Sequence, residues 1–357
     1  MYQNRLEALR GKMKEHALSQ VLVTDAASIF YLTGKWIEAG ERLLVLLVKE
    51  AGNPCLFINE LFPEKESEEL DFVWLKDTSD AIIILSEHLE KGKTIGVDKN
   101  WPSGFLIGLM KTMGTSDVEN SSILLDQIRA VKDEEEKKLM RAASRLNDEA
   151  MHILIESLEE NMSELEAEDL LKKIYFDLGA EGYSFTPIIA FDKNGANPHH
   201  ENGGRLLKHG DAVILDIGCR KNNYCSDMTR TIFFGEAGEK EKEVFETVLE
   251  ANKKAISLVK PGVRFSDIDR AARSVIEEKG YGPYFTHRTG HSIGIEVHET
   301  GDVSSANDSL LEPGMIFSVE PGIYLEGKFG VRIEDLVLVT ENGCEVLNSY
   351  PKELYVK

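Results

Sequence analysis

A carboxylate closes a strongly apolar run. Ala212-Val213-Ile214-Leu215 leads into Asp216 and Ile217, a polar stretch Arg220-Lys221-Asn222-Asn223 follows, and a second β-like run continues through Phe234. A short apolar run bounded by turn residues predicts a buried strand, and two such runs around a polar turn predict a hairpin. An acid at the end of a buried strand demands a partner, because a bare charge in an apolar surround is strongly disfavoured. With Lys221-Asn222 as the two-residue loop, Asp216 directly faces Asp227; with Asn222-Asn223 as the loop, the pairing is diagonal. Directly opposed positions bring Cβ atoms to about 4.5–5.5 Å, where like charges repel. A cation between them removes that penalty, and two ions about 3.5–4 Å apart suit a carboxylate pair of this spacing. The plainer alternative makes Asp216 a strand-end turn residue.

Further acids repeat the pattern. Glu320 ends the β-like run Met315 to Val319 and is stopped by Pro321-Gly322. Glu334 lies inside Gly330 to Val339, with Arg332 two residues earlier and hence on the same strand face. His287, His291 and His298 crowd into a Gly-rich segment, and His199-His200 follows Pro198 in an expected loop. Carboxylates with one or two imidazoles suit manganese or cobalt better than an all-nitrogen zinc site would. Gly290-His291-Ser292-Ile293-Gly294 matches the serine-hydrolase elbow, but no strand-to-helix context surrounds it, and His298 is the last histidine of the chain. No phosphate-binding loop, dinucleotide fingerprint or HExxH helix supports other chemistry.

The chain has 357 residues, which predicts about two domains. A net charge of −21 repels nucleic acid and anionic lipid, so neither is an expected partner. Apolar runs such as Leu43 to Val48 fall far short of the roughly 20 residues of a membrane span. Arg5, Glu7, Arg10, Lys12, Lys14 and Glu15 break up the N-terminus, so no secretory leader is expected there. Cys55, Cys219, Cys225 and Cys344 form no CxxC and no disulfide framework, which points to free thiols in a reducing cytoplasm.

Gln20 to Val23, Arg42 to Val48 and Pro54 to Ile58 read as strands and Asn4 to His16 as a helix, giving a small α/β domain over residues 1–125. Asp133 with Glu136 opens a long helix as a capping box, so a second domain covers 126–357. Ser163 with Glu166 starts a helix that ends at Gly179, and Ser266 with Asp269 starts another that ends at Gly280. A short turn containing Gly and Tyr and then Phe-Thr follows each, Phe185-Thr186 and Phe285-Thr286, as in an internal duplication that would leave a cleft between similar halves.

In their order and local context, Leu215-Asp216-Ile217-Gly218, Ser226-Asp227-Met228-Thr229-Arg230-Thr231, Gly290-His291-Ser292-Ile293-Gly294, Val319-Glu320-Pro321-Gly322 and Arg332-Ile333-Glu334-Asp335 resemble the motifs of the pita-bread binuclear metallopeptidases. That group includes methionine aminopeptidase, aminopeptidase P, prolidase and creatinase, and the N-terminal domain resembles that of its prolidase-type members. The resemblance implies an α+β chain, with a C-terminal pita-bread (creatinase/aminopeptidase-like) domain preceded by a smaller α/β N-terminal domain. It implies two divalent ions, Mn2+ first and Co2+ or Zn2+ as alternatives, on Asp216, Asp227, His291, Glu320 and Glu334. Glu320 would also take a proton from water, and His199 and His298 would stabilise developing charge. His287, His298 and Arg332 would bind substrate. The implied activity is metal-dependent hydrolysis of the Xaa-Pro bond in dipeptides by a cytoplasmic homodimer, with aminopeptidase P action on longer peptides as the alternative. A non-catalytic peptide-binding homologue is the rival of another class. The polar Lys221-Asn222-Asn223 turn departs from the aromatic-glycine turn of many relatives.

Overall fold

The structure, a computed structural model, describes residues 2–357. It divides into two compact units, one ending at Arg129 and the other starting at Ala130.

In the first unit, strands Gln20–Val23, Val45–Lys49 and Cys55–Asn59 form where apolar runs are bounded by turn residues. They lie in a six-stranded mixed sheet with 71–75, 95–97 and 118–120. Gln20–Val23 is buried along its whole length, and Leu22, Val45, Phe57 and Ile95 pack with Leu85 and Leu109 from helices Ala81–Glu87 and Ser103–Met113. The expected N-terminal helix spans Gln3–Glu15.

The second unit is built twice from one plan. Its first half has helices α1 (Glu134–Ser157) and α2 (Glu164–Asp177), then strands β1 (Ile188–Phe191), β2 (Ala212–Ile217) and β3 (Met228–Phe233). Its second half has α3 (Glu239–Leu258) and α4 (Phe265–Glu278), then β4 (Gly290–Ser292), β5 (Glu299–Val303), β6 (Ile316–Val319) and β7 (Asp335–Val339). The first sheet runs β3-β2-β1 and the second contains β7-β6-β4 in the same antiparallel order. Left-handed backbone recurs at matched points: Asn161 (φ 70°) and Gly262 (81°) before α2 and α4, Gly179 (75°) and Gly280 (82°) after them. In each half the helix pair covers a sheet, through Met151, Leu154 and Leu171 on Val213 and Leu215, and through Val248, Ile268 and Ala272 on Phe317 and Val337.

Three local expectations change. Both capping boxes at Asp133 and Ser163 form, but Ser266-Asp269 does not cap α4. The cap position is Arg264, while Ser266 donates to Asp308 and Asp269 accepts from Thr289 and Arg273. The stretch Gly330 to Val339 is not one strand: Phe329–Arg332 pairs with Gly322–Leu325, and β7 pairs with β6. Glu334 therefore sits at the break, its N–H bound to the Thr229 carbonyl. Finally, the hairpin turns at Asn222-Asn223, with φ 51° and 62°, the signature of a type I′ turn. Asp216 then faces Thr229, not Asp227, so the diagonal alternative is the one realised. Asp227, two residues before Thr229, still shares the face of Asp216.

Between β2 and the turn, a Cβ at Gly218 would lie 2.2 Å from Ser184 Oγ and 2.3 Å from the Ser226 carbonyl oxygen. Gly218→Ala is expected to lower stability by about 1–3 kcal/mol through overpacking, read as a lower unfolding temperature. An unchanged unfolding temperature would show that the hairpin yields without strain.

Candidate functional site

The hairpin β2-β3 delivers Asp216 and Asp227, β4 delivers His291, the end of β6 delivers Glu320, and the break before β7 delivers Glu334. These five residues, with His199, His287, His298 and Arg332, line one cavity of about 580 Å³. Thus the nine candidate site residues meet in space, although they are drawn from positions spread between His199 and Glu334. Gly290 sets the spacing of β4 and β6. A Cβ there would fall 1.9 Å from the Ser318 carbonyl oxygen, so only glycine lets the strand bearing His291 approach the one that ends at Glu320.

His291 Nε2 lies 3.6 Å from Asp227 Oδ2 and 3.4 Å from Glu320 Oε1. One ligand atom each from Asp227, His291 and Glu334 lie within 4.8 Å of one another. Asp216 Oδ1, Asp227 Oδ1 and Glu334 Oε1 are buried with no hydrogen-bond partner among the described residues. Buried polar atoms are normally paired, so three unpaired carboxylate oxygens around one imidazole describe a site shaped for cations. Oxygen donors with one nitrogen fit a hard or borderline divalent ion, and the donor set accommodates the expected metal.

Burial, then the charges of Glu334, Asp216 and Glu320, push the Asp227 carboxyl well above the usual range. Burial, then Glu320 and Asp216, do the same to Glu334. Burial drops His291 to about 4, which keeps its ring neutral and able to offer a lone pair at neutral pH.

A polar network fixes the carboxylates from behind. Arg332 donates to Asp216 Oδ2 at 2.6 Å, to the Tyr324 hydroxyl at 2.9 Å and to Thr229 Oγ1 at 3.1 Å. Thr229 Oγ1 in turn donates to Glu334 Oε2 at 2.7 Å, and Ser318 Oγ donates to Glu320. His287 Nδ1 is 2.7 Å from the Arg288 carbonyl, which can only accept, so the ring carries its proton there. Its Nε2 therefore accepts from Tyr324, 2.8 Å away, and both ring nitrogens are occupied. The adjacent histidines His199 and His200 part company. His199 is exposed along the cavity wall, while His200 Nε2 turns to the fully buried Glu164 at 2.8 Å. Glu164 also accepts from Phe191 N, Asn194 and Gly203 N, tying down the loop that bears His199.

Thr229, Tyr324 and Glu164 escaped the sequence reading. Thr229 is the exception that period-two alternation from Asp227 could have found. Ser292, the would-be nucleophile, lies in strand β4 and not in a strand-to-helix elbow.

The chain matches Metallopeptidase family M24 over residues 138–341 and the Creatinase/Prolidase N-terminal domain over residues 5–131. An uncharacterized peptidase of Staphylococcus aureus is 38% identical over 92% of this chain and 94% of its own length. Among solved structures, a prolidase from Thermococcus sibiricus superposes with a TM-score of 0.94 at 33% identity, covering 100% of this chain and 99% of that one. An X-Pro aminopeptidase from Thermotoga maritima superposes with a TM-score of 0.85 at 32% identity, covering 97% and 100%. The pita-bread domain behind a creatinase-type domain, expected from the motifs, is thus the fold of this chain.

The raised acids have a consequence for the metal-free protein. Asp227 and Glu334 hold protons in the folded state to higher pH than in the unfolded chain, whose values are near 3.8 and 4.5. Their contribution is therefore complete at low pH and is lost as pH rises from those values through the raised folded ones. Chelator-treated protein should unfold at falling temperatures from pH 5 to 8, and Asp227→Asn with Glu334→Gln should flatten the slope. A slope unchanged by the double substitution would contradict the assignment.

Proposed function

The chain belongs to metallopeptidase family M24, and on that premise we propose that it hydrolyses the bond preceding proline, releasing the N-terminal residue, with Xaa-Pro dipeptides as preferred substrates. The observation that carries this reading is the convergence of four carboxylates and His291 on one cavity, three of the carboxylates with an unpartnered oxygen. Likeness to a prolidase along the full length of both chains supports the substrate class. Likeness to an X-Pro aminopeptidase keeps longer Xaa-Pro peptides as the second reading.

We assign Asp216, Asp227, His291, Glu320 and Glu334 to two divalent ions, Mn2+ first, with Co2+ and Zn2+ as alternatives. When bound, such ions make water a nucleophile near neutral pH and polarise the scissile carbonyl. Glu320, at the cavity edge and oriented by Ser318, takes the proton of the attacking water. His199 and His298, both exposed to the cavity, donate to the oxygen on which negative charge develops and hold the substrate. His287, with both nitrogens engaged, serves as a wall. Arg332, expected with His287 to bind substrate, is engaged by Asp216 and Tyr324, as His287 is by Arg288 and Tyr324. Of the three expected substrate-binding residues, His298 is therefore the one we assign to hold the substrate. The remaining elements of the reading are a homodimer and a cytoplasmic location, the former checked by light scattering.

Hydrolysis of Ala-Pro, Ala-Pro-Ala and Met-Ala-Ser by metal-stripped protein, before and after adding Mn2+, tests the reading. Ala-Pro cleavage should return with Mn2+, and Asp227→Ala or Glu334→Ala should lower kcat/KM by more than the roughly 10–100-fold that outer-shell partners typically contribute. Activity confined to Ala-Pro-Ala would select the aminopeptidase. Met-Ala-Ser cleavage would remove the proline requirement. No cleavage and no bound metal would leave a peptide-binding homologue. His298→Ala is expected to lower kcat by about 10²–10³-fold, as for loss of an oxyanion donor.

A further inference from the structure

His298 poses a mechanical problem: its side chain is exposed, so its own packing does little to fix it. Its ring meets His291 edge to face, centroids 4.2 Å apart, and it stands on the excursion between β4 and β5. That excursion is closed at its neck by the next residue. Glu299 pairs with Ser292 across a β-bulge, and its Oε1 accepts the N–H groups of Ile295 at 3.0 Å and Glu296 at 3.4 Å. Its carboxylate also fills the space beside Gly294, where a Cβ would lie 2.8 Å from both oxygens. The other oxygen, Oε2, meets Lys132 Nζ at 2.9 Å, and the two side chains are only 1% and 6% exposed. Lys132 is itself pinned, since its N–H donates to the Gly314 carbonyl and Val131 forms a bridge with Met315 at the foot of β6.

A buried ion pair of this kind adds little net stability over an apolar pair of similar volume, because desolvation offsets attraction. A role in placing the loop accounts for what stability does not. We infer that the Lys132–Glu299 ion pair is a positioning device for His298: Glu299 draws the loop onto its carboxylate, Lys132 fixes that carboxylate, and the imidazole is thereby held at the cavity rim. This rests on the catalytic reading of His298. Lys132 touches no substrate and acts only through the loop.

The test is a cycle of four proteins: wild type, His298→Ala, the doubly substituted Lys132→Met/Glu299→Gln, and the triple combination. The double substitution removes the two charges of the pair together, and the introduced amide keeps an acceptor for the loop N–H groups. Unfolding temperature and metal content are measured on each. With wild-type metal content, the double variant should lose roughly 10- to 100-fold in kcat on Ala-Pro, the size of effect that a misplacement of about 1 Å produces, with KM within about twofold. In the His298→Ala background the same change should have no further effect. Losses that multiply, or an unchanged kcat in the double variant, would overturn the proposal. A wild type inactive on Ala-Pro would instead sink the functional reading before any variant is compared. A fully active His298→Ala would remove the role of His298, and the anchor with it.

Discussion

Mutual repulsion among buried carboxylates is the constraint on which the second unit is organised. Asp216, Asp227, Glu320 and Glu334 face one cavity, and burial together with the neighbouring carboxylates raises the free energy of charge on Asp227 and Glu334. A loose scaffold would relieve this by moving them apart. Here strand ends hold three of them, and a glycine with no room for a methyl group fixes the separation of β4 and β6.

The compensation is divided along the chain between adjacent residues. Glu334 points into the cavity and is pushed toward its neutral form, whereas against its own burial Asp335 is held below its ordinary value by Arg230 and Lys352. Arg230 reaches Asp335 at 2.8 Å and also donates to the carbonyls of Thr229, Glu334 and Tyr350. Fixed cations therefore neutralise the outer side of the seam between the halves, while most of the charge on the inner side is left for something the cavity admits. Arg332 is the exception on the inner side, and it is spent on Asp216.

Much of this was legible in the sequence because carboxylates at the ends of apolar strands are conspicuous. Asp216 and Glu320 announce themselves by the apolar runs before them, and the two capping boxes at Asp133 and Ser163 are local chemistry that three or four residues decide. The hairpin register was not legible, since Lys221-Asn222 and Asn222-Asn223 are both acceptable turns until the sheet selects one. Ser266-Asp269 looked like a cap because the motif is short, yet tertiary partners claimed both side chains. Tyr324, Glu164 and the pairing of Lys132 with Glu299 depend on contacts between distant segments, which no periodicity encodes. The sequence places Glu334 inside one strand from Gly330 to Val339, whereas it sits at a break between two strands, its N–H held by the Thr229 carbonyl of the neighbouring hairpin.

The doubling of helix pair and sheet distributes the charge set unevenly. The first half contributes Asp216 and Asp227; the second contributes His291, Glu320 and Glu334. During synthesis the first half leaves the ribosome well before β4 exists, as domains are made from the N-terminus onward. At that stage it presents two carboxylates and no imidazole ligand, a poor trap for the soft and strongly binding ions that compete in cells. On the proposed assignment the five side chains come together only once the two halves have docked, so a site of that composition does not exist while the first half stands alone.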